Sequence, residues 1–493
     1  MTGTDKMILV LDEGTTSTRA ILYDAAGQVL GTAQQALTQH YPAPGVVEHD
    51  AQEIWDATLA CARAMIDKAG GADRIAAIGI TNQRETVAAW DRRTGQPICR
   101  AIVWQDRRTE AQCRQLREQG HEDRVQRETG LLLDPYFSAT KMRWIMDHVP
   151  QARELGDRLA MGTIESWLVW KLTGGLHVSD ATNASRTLLL PLEGRDWDGG
   201  LCDLFDVPRS ALGDIVPCTG SIAATDSALF GRAIPITGLA GDQQSASIGQ
   251  ACFARGECKA TMGTGAFILA NAGSEPPRSG HRLLGTVLWD TGDERIYALE
   301  GSVFAAGSIF QWLRDGLALL SQSAESEALA RSVKDSGGVV FVPGLAGLGA
   351  PYWDAEATAS LSGMSFATTR AHVVRAALES IAHVLCDLKT AFAADGAAWS
   401  SLRIDGGMSA NDWLAQDLAD MLAIPCERPA DIETTARGAA MLAAFGAGLY
   451  TSLEDTKAMA SPATAFRPRM DSGERETRLR RWHAALPAQV SRG

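Results

Sequence analysis

The sequence predicts an α/β protein in which two domains flank a cleft, and three observations support this fold class. The chain has 493 residues, whereas single hydrophobic cores stop growing at about 250–300 residues, so two domains are expected. Short apolar runs with strand character alternate with segments of helical periodicity, which is typical of α/β layers. A pattern of strand, Gly/Thr turn and strand occurs once in each half, which indicates a duplicated domain.

The boundary between the two predicted domains is placed at the middle of the chain. Residues 1–245 then form an N-terminal domain with the first Gly/Thr turn, and residues 246–493 form a C-terminal domain with the second. The polar stretch Leu239–Ser245 interrupts an apolar run at this junction. We therefore expect the chemistry of the protein to lie there.

Composition indicates an ordinary globular protein. Apolar residues make up 45% of the chain and charged residues 21%, and 46 basic against 59 acidic residues give a net charge of −13. Such a chain is unsuited to non-specific binding of nucleic acid or of an anionic membrane. The nine cysteines are scattered without a Cys-x-x-Cys pair, which favours free thiols in a reducing cytoplasm.

Neither apolar stretch that could be a targeting or membrane segment fits that role. Met7–Leu11 is too short for the core of a signal peptide. The long uncharged run Gly337–Trp353 contains prolines and several glycines, which predicts a strand and turns rather than a membrane span.

The first strand and the turn after it predict a phosphate cradle. Met7–Leu11 is a continuous apolar run of the kind found in buried strands, and Ala20–Asp24 resumes as a second strand. The turn between them offers backbone N–H groups, hydroxyls and one arginine, which suit a phosphate. Asp12 at its lip could hold Mg²⁺ through water. The alternative is an ordinary hairpin with a polar tip. The side-chain donors of this turn are Thr15, Thr16, Ser17 and Arg19.

A second Gly/Thr turn repeats the pattern of the first. Lys259–Met262, the turn Gly263–Gly265 and the strand Ala266–Ala270 follow one another in the second half. Two such turns, one in each half, predict a nucleotide cleft between the domains. The Rossmann fingerprint is missing from both turns, and the chain has no Gly-Lys dipeptide, which excludes a Walker loop.

A third glycine-rich turn, Gly406-Gly407, lies between the predicted strand Leu402–Asp405 and a helix. Paired glycines before a helix allow close approach of a nucleotide, although a plain strand-to-helix turn would look the same. Ser409 and Asp412 have the spacing of a capping box for this helix. A longer helix with a packed face is predicted from Val374 to Phe392.

Two opposite charges beyond a buried strand predict a polyol pocket. Arg84 and Glu85 follow the apolar run Ile75–Ile80. Adjacent opposite charges at such a place usually form a solvated loop. Alternatively, Arg84 donates to substrate oxygens and Glu85 accepts from a hydroxyl, which is the chemistry that a polyol needs. Trp104 and Tyr136 could supply an apolar wall and a phenol, although each alone is more often a core residue.

The carboxylate best placed for catalysis is Asp242, which follows the predicted strand Ala233–Leu239. At such a strand end it can accept a proton from a substrate hydroxyl, while the flanking amides hold other oxygens. The alternative is that Asp242 only caps the helix that follows it.

Taken together, these motifs resemble the FGGY carbohydrate kinases over residues 8–448, nearly the whole chain. Leu11–Arg19 and Gly263–Gly265 are similar to the phosphate motifs of that family, and Asp405–Gly407 is similar to its adenosine motif. The family signature fits between Ala359 and Glu379. The segments that resemble the members acting on glycerol are Tyr41–Gly45, Val47–Asp50, Gly79–Thr86, Asp134–Phe137, Gly241–Gln244 and Gly349–Asp354.

The resemblance implies an actin-like ATPase fold, in which two ribonuclease-H-like domains flank a nucleotide and substrate cleft. It also implies phosphoryl transfer from Mg²⁺-ATP to glycerol, giving sn-glycerol 3-phosphate. Asp242 would be the general base, Asp12 would position Mg²⁺, and Arg19 would neutralise phosphate charge. The residues implied for the polyol are Arg84, Glu85, Trp104, Tyr136, Asp242, Gln243 and Phe267. Those implied for the nucleotide are Thr15, Thr16, Ser17, Arg19, Thr264, Gly307, Gln311, Gly407 and Asn411.

Regulation and the choice of acceptor stay open at this point. Phe230–Ala233 is shorter than the regulatory loop that binds a sugar bisphosphate in some bacterial relatives, and it lacks the histidine that others phosphorylate. Erythritol or dihydroxyacetone is an alternative acceptor, and an actin-like ATPase without a small acceptor is the alternative outside the kinases. We expect a cytoplasmic homodimer or homotetramer.

Overall fold

A computed structural model of the chain describes residues 6–354 and 356–486. The outer ends of the two predicted domains, residues 1–5 and 487–493, therefore lie outside the described residues. The strands are β1 (Met7–Glu13), β2 (Ser17–Tyr23), β3 (Val29–Ala36), β4 (Glu48–His49), β5 (Ile75–Asn82), β6 (Ala88–Asp91), β7 (Ala101–Ile102), β8 (Leu159–Gly162), β9 (Val178–Asp180), β10 (Asp214–Val216), β11 (Thr219–Ala224), β12 (Pro235–Gly241), β13 (Glu257–Met262), β14 (Ala266–Gly273), β15 (Leu284–Asp290), β16 (Arg295–Val303), β17 (Val340–Val342), β18 (Ser360–Ser362), β19 (Ser401–Asp405), β20 (Cys426–Pro429) and β21 (Ala463–Phe466).

The α-helices lie between these strands and on their faces. They are α1 (Ala51–Ala69), α2 (Glu110–Glu118), α3 (Glu122–Thr129), α4 (Ser138–His148), α5 (Pro150–Leu155), α6 (Ile164–Thr173), α7 (Ala181–Ala184), α8 (Gly199–Leu204), α9 (Ser227–Phe230), α10 (Asp242–Gly249), α11 (Gly307–Asp315), α12 (Glu325–Arg331), α13 (Arg370–Ala394), α14 (Asp412–Leu422), α15 (Thr434–Gly446) and α16 (Ser472–Ala485).

The first large sheet has the strand order β11-β12-β5-β1-β2-β3. Strands β1, β2 and β3 form an antiparallel meander, whereas β5 is parallel to β1 and β12 is parallel to β5. Helix α1 packs on β1 and β2, and helix α15 packs on β1, β5 and β12. Because helices cover this sheet, Ile8–Leu11 is fully buried, which explains its unbroken apolar sequence.

The second large sheet repeats this path, with the order β15-β16-β14-β13-β19-β20-β21. Strands β13, β14 and β16 form the meander, and β19 and β20 follow in parallel beside β13. Three antiparallel strands followed by two parallel ones are the ribonuclease-H-like arrangement. The predicted α/β class, with two such units in an actin-like fold, is therefore confirmed.

The predicted helices also form, with one correction at a helix start. The segment from Val374 to Phe392 lies in α13, which has 25 residues. Helix α14 is capped by Asn411 rather than Ser409, because the Asn411 side chain accepts from the amide of Leu414 at 2.9 Å. The Ser409 hydroxyl instead donates to the carbonyl of Gly406 at 2.7 Å, within a short 3₁₀ turn.

Helices α10 and α15 cross between the two sheets, and their contact depends on two glycines. A Cβ atom at Gly438 would overlap the backbone carbonyl of Ser245, and one at Gly249 would overlap the carbonyl of Thr434. Each helix packs on the sheet of the other half, as when Thr237 on β12 donates to the carbonyl of Ala443 at 2.8 Å. This crossing sets how the two sheets face each other. The predicted domain boundary falls within α10.

All nine cysteines are free. Within residues 6–354 and 356–486, none of the helices combines the length and the apolar character needed to cross a membrane.

We predict that Gly438→Ala destabilises the protein, because the new methyl group meets a backbone carbonyl rather than a movable side chain. Overpacking of this kind costs about 1–3 kcal/mol of unfolding free energy, or more. Gly199→Ala is the matched control, since a Cβ atom at Gly199 would have no neighbour within 4 Å. Calorimetry should show a lower melting temperature for Gly438→Ala and an unchanged one for Gly199→Ala. Equal melting temperatures would contradict the close crossing.

Candidate active site

Polar side chains gather where three parallel strands of the first sheet end. Asp12 lies at the end of β1, Arg84 and Glu85 follow β5, and Asp242 follows β12. Because β1, β5 and β12 are parallel neighbours, their carboxyl ends meet at one edge of the sheet. Open α/β sheets bind ligands at this edge. The four side chains are therefore brought together although up to 230 residues separate them.

Asp242 is the first residue of α10, and Gly241 occupies the cap position before it. The hypothesis that Asp242 serves only as the helix cap is therefore wrong. Its Oδ1 accepts from the amide of Gln243 at 2.6 Å and lies 3.2 Å from Nε of Arg84. About a third of the side chain, 34%, stays exposed. Asp242 is thus held at one oxygen and accessible to a ligand.

Arg84 and Glu85 are 3% and 1% exposed, so the interpretation as a solvated loop is wrong. The amide of Thr86 donates to the carbonyl of Arg84 at 2.8 Å, which closes a three-residue turn with Glu85 at φ 61°. A non-glycine residue in the left-handed region is strained, and such strain is common at functional sites. The turn aims both charged side chains into the interior.

Arg84 belongs to a buried ionic network that also contains Glu85 and two residues missed from the sequence, Arg186 and Glu300. Its Nη1 donates to Oε2 of Glu300 at 2.6 Å, and its Nη2 donates to the Tyr136 hydroxyl at 3.3 Å. Arg186 donates from Nη2 to Oε1 of Glu300 at 2.9 Å and from Nε to Oε1 of Glu85 at 2.7 Å. The network thus contains two arginines and two glutamates.

Burial and pairing act in opposite directions on the charges of this network. Burial raises the pKa of Glu300, but Arg186 and Arg84 more than offset this and lower the pKa to about 2. Burial likewise lowers the pKa of Arg84, but its acidic neighbours, Glu300 first, hold that pKa well above its ordinary value. For Glu85, burial outweighs the two arginines and raises the pKa.

The predicted apolar wall lines a cavity of about 700 Å³ next to this network. Trp104 and Tyr136 meet edge to face, with ring centroids 5.7 Å apart. The Trp104 indole also donates to the hydroxyl of Thr15 at 2.9 Å, which ties the wall to the first turn. Gln243 and Phe267 line the same cavity. The cavity therefore brings together predicted polyol residues from both halves.

Lys259 is a third charged residue, after Arg186 and Glu300, that was missed from the sequence. It is fully buried on β13, where its Nζ donates to Oε1 of Gln243 and, at 2.8 Å, to the hydroxyl of Thr261. Burial lowers the pKa of this lysine, against the opposing effect of Asp405 and Asp242. Because Oε1 of Gln243 is occupied, its NH₂ group is left to donate elsewhere.

The first turn carries the donors that were predicted for phosphate. Asp12 and Arg19 are cross-strand partners and form an ion pair, and Arg19 also lies 2.5 Å from Glu433, at the start of α15. Burial raises the pKa of Asp12 to about 6, although Arg19 opposes this shift. Thr15, Thr16 and Ser17 form the tip of the turn, which the amide of Gly14 closes by donating to the carbonyl of Ser17 at 3.0 Å.

The second turn is joined to the start of α11. The amide of Gly307 donates to the carbonyl of Gly263 at 2.9 Å, and the amide of Ala306 donates to the carbonyl of Thr264 at 2.9 Å. A Cβ atom at Gly307 would overlap that carbonyl of Gly263, so a glycine is required here. Thr264 and Gly307 are thereby brought to the same end of the second sheet.

Gly407, Gln311 and Asn411 lie on neighbouring elements of the second half. Gly406, just before Gly407, has φ 82° and packs against the end of β13, so the Gly-Gly turn borders the second Gly/Thr turn. Gln311 lies on α11 and is exposed. Asn411 uses its side chain as the cap of α14 and also donates to the hydroxyl of Ser326 at 3.3 Å. Among the described residues, the hydrogen bonds of Asn411 go to Ser326, Leu414, Met408 and Ala415, none of which is a predicted nucleotide residue.

The residues that were missed differ in how well the sequence marks them. Glu300 and Lys259 are charges in the interior of their strands, whereas Arg295 and Glu257, the other charges of β16 and β13, are the first residues of those strands. An isolated charge in a strand is a usable signal for a buried ion pair. Arg186 has no such signal, because Ser185 and Thr187 surround it as in any polar turn.

The chain is similar to known proteins over nearly its whole length. The model of the FGGY family of carbohydrate kinases, N-terminal domain, matches residues 7–249, and that of the C-terminal domain matches residues 258–447. A glycerol kinase of Rhodospirillum centenum is 51% identical over 484 residues, which are 97% of this chain and 97% of that protein. A glycerol kinase of Alkalilimnicola ehrlichii is 52% identical over 484 residues, with the same coverage of 97% on both sides.

A solved structure extends the similarity to the whole fold. The crystal structure of Plasmodium falciparum glycerol kinase with ADP superposes with a TM-score of 0.94 at 35% identity, and 98% of each chain is covered. The match therefore includes both sheets, the crossing helices and the edge at which the site lies. With family models matched over residues 7–249 and 258–447 and about half of its residues identical to curated relatives along nearly the full length, the chain belongs to the FGGY family of carbohydrate kinases.

Proposed function

We propose that this chain transfers the γ-phosphoryl group of ATP to a terminal hydroxyl of glycerol, giving ADP and sn-glycerol 3-phosphate. The observation that carries the proposal is the partly exposed carboxylate of Asp242, fixed 3.2 Å from the buried Arg84 at the edge of the first sheet. Relatives named glycerol kinase, similar over nearly the whole chain, support the choice of acceptor.

Glycerol would bind with its hydroxyls on the charged side of the site and its carbons on the aromatic side. Arg84 and the NH₂ group of Gln243 would donate to its oxygens, and Glu85 would accept from a hydroxyl. Trp104 and Phe267 would contact the carbon chain. Tyr136 adds a hydroxyl that Arg84 already orients, at 3.3 Å.

Asp242 would act as the general base. Its Oδ1 is already engaged by Arg84 and by the amide of Gln243, so Oδ2 is the oxygen proposed to take the proton of the attacking hydroxyl. Phosphoryl transfer depends mainly on positioning and charge neutralisation, and both are served by a base that its neighbours hold in one orientation.

The nucleotide would lie between the two Gly/Thr turns. Thr15, Thr16, Ser17 and Arg19 would face the phosphates from one side, and Thr264 from the other. Gly307, Gln311, Gly407 and Asn411 would border the nucleoside. The solved relative that holds ADP has the same overall fold, which supports this placement.

Asp12 is the residue proposed to hold Mg²⁺. A buried carboxylate at the lip of the phosphate turn fits this ion, which takes one or two protein carboxylates and completes its shell with water and substrate phosphates. When bound, the metal would neutralise charge on the transferred phosphoryl group.

Another short polyol or a triose is the second candidate acceptor, because the cavity is not restricted to the size of glycerol. At about 700 Å³ the cavity falls within the range of pockets for drug-sized ligands, roughly 300–1,000 Å³. Erythritol or dihydroxyacetone would therefore fit.

We also propose that the protein is a cytoplasmic homodimer or homotetramer. Light scattering would measure the oligomeric state, and cell fractionation would test the location.

The proposed function is tested by a coupled assay of ADP release with glycerol, erythritol and dihydroxyacetone. We predict the largest kcat/KM for glycerol, together with little ADP release when no acceptor is present. A larger value for erythritol would move the assignment to that acceptor. ADP release that is independent of every acceptor would instead favour an ATPase.

We predict that Asp242→Asn lowers kcat by about 10²–10⁴, the usual contribution of a positioned base. The change keeps the size of the side chain and its contacts with Arg84 and Gln243, so ATP affinity and melting temperature should stay near those of the wild type. Steady-state kinetics and nucleotide titration measure these quantities. Full turnover in Asp242→Asn would show that Asp242 is not the general base.

We predict that Glu85→Ala loses more than about tenfold in kcat/KM for glycerol, corresponding to roughly 1.4 kcal/mol. It should also lower the melting temperature, because the buried Arg186 loses its partner at 2.7 Å. Glu85→Gln keeps a hydrogen-bond acceptor oxygen, so its losses of kcat/KM and of melting temperature should both be smaller. Wild-type kinetics for Glu85→Ala would contradict the assignment of Glu85 to the polyol.

A further inference from the structure

The residues proposed to bind the acceptor come mainly from the first half of the chain, yet the shortest contact of Arg84 is to the second half. Its Nη1 lies 2.6 Å from Oε2 of Glu300, on β16 of the second sheet. Asp242 is farther away, at 3.2 Å, and Glu85 is farther still, at 3.9 Å. Glu300 is therefore the main anionic partner of Arg84.

Glu300 is built to hold two guanidinium groups at once. Its two oxygens face different arginines, Oε2 facing Arg84 and Oε1 facing Arg186 at 2.9 Å. The side chain is fully buried, so water cannot replace either partner. Charge-assisted hydrogen bonds of this kind fix orientation as well as distance.

The orientation of Arg84 matters because each of its three guanidinium nitrogens contacts a different residue. Nη1 faces Glu300, Nη2 faces the Tyr136 hydroxyl at 3.3 Å, and Nε faces Asp242. Because the guanidinium is planar and rigid, a contact that holds one nitrogen, together with the side-chain stem, restricts where the other two nitrogens can lie. Without the charge of Glu300, the nearest remaining carboxylates are Asp242 and Glu85. Arg84 would then pair more closely with those two carboxylates, and its nitrogens and the two carboxylates would be less available to the acceptor.

We propose that Glu300 is a positioning residue of the acceptor site, which holds Arg84 in the orientation that binds glycerol. This inference rests on the proposed function. The acceptor site would then depend on both sheets. Arg84 follows a strand of the first sheet, and Glu300, which orients it, lies on the second.

The competing explanation is that Glu300 serves stability alone, as one member of a buried ion network. Both explanations predict a lower melting temperature when Glu300 is changed, since a buried arginine would be left without a partner. They differ in the kinetics. Positioning affects glycerol selectively, whereas loss of stability alone leaves the KM of the folded enzyme for glycerol unchanged.

The test compares Glu300→Gln with a matched control on the same sheet. Asp290 on β15 is also buried and pairs with Arg295 at 2.7 Å, and it belongs to none of the proposed binding sites. Asp290→Asn therefore removes a similar buried charge. Kinetics of the full chain with glycerol and with ATP are measured well below each melting temperature, together with ADP release in the absence of acceptor.

We expect Glu300→Gln to raise the KM for glycerol by about tenfold or more, since small misplacements of a binding group cost this much. The KM for ATP should change by less than about twofold, because the ion-pair partners of Glu300, Arg84 and Arg186, are not among the residues proposed to bind the nucleotide. Asp290→Asn should leave the KM for glycerol unchanged. Glu300→Asp keeps the charge on a shorter side chain and should lie between wild type and Glu300→Gln.

A wild-type KM for glycerol in Glu300→Gln would overturn the proposal, as would equal changes in the KM values for glycerol and ATP. If Glu300→Gln does not fold, Glu300→Asp decides: a wild-type KM for glycerol overturns the proposal, and a selectively raised one supports it. Failure of the proposed function looks different, because the wild-type chain would then release no additional ADP with glycerol.

Discussion

The proposed acceptor site depends on one buried ionic network, which consists of Arg84, Glu85, Arg186 and Glu300. Four charges taken out of water are costly unless each one is paired, and here each carboxylate contacts at least one guanidinium within 3 Å. Arg186 also lies under the aromatic wall, 5.6 Å from the ring of Tyr136. The network therefore holds both the charged side and the aromatic side of the site in place. It leaves Nη1 of Arg186 buried without a hydrogen-bond partner among the described residues.

The duplicated fold explains why such a network can form between distant segments. Each half repeats an antiparallel meander followed by parallel strands, so each places its Gly/Thr turn at the corresponding edge. Helices α10 and α15 cross at Gly249 and Gly438 and fix how these edges face each other. Glu300 and Lys259 then extend from the second sheet to Arg84 and Gln243. Acceptor binding and the arrangement of the two sheets are consequently linked.

The sequence predicts the parts of this structure that depend on local pattern. The buried strand Ile8–Leu11, the Gly-Gly turn at 406–407 and the helix α13 all form as predicted, because each is determined by neighbours along the chain. The burial of Arg84 and Glu85 could not be predicted in this way. Their partners Arg186 and Glu300 lie 101 to 216 residues farther along the chain, and only the fold brings them together. The start of α14 was mispredicted because Asn411, rather than Ser409, points its side chain at the free amides.

A crystal structure of the chain with glycerol and a non-hydrolysable ATP analogue would test the central claim most directly. The account predicts one glycerol hydroxyl within hydrogen-bond distance of Asp242 and another on Arg84, with the contact between Arg84 and Glu300 intact. Glycerol bound elsewhere in the cleft, or an Arg84 that leaves Glu300 in order to contact the substrate, would contradict it.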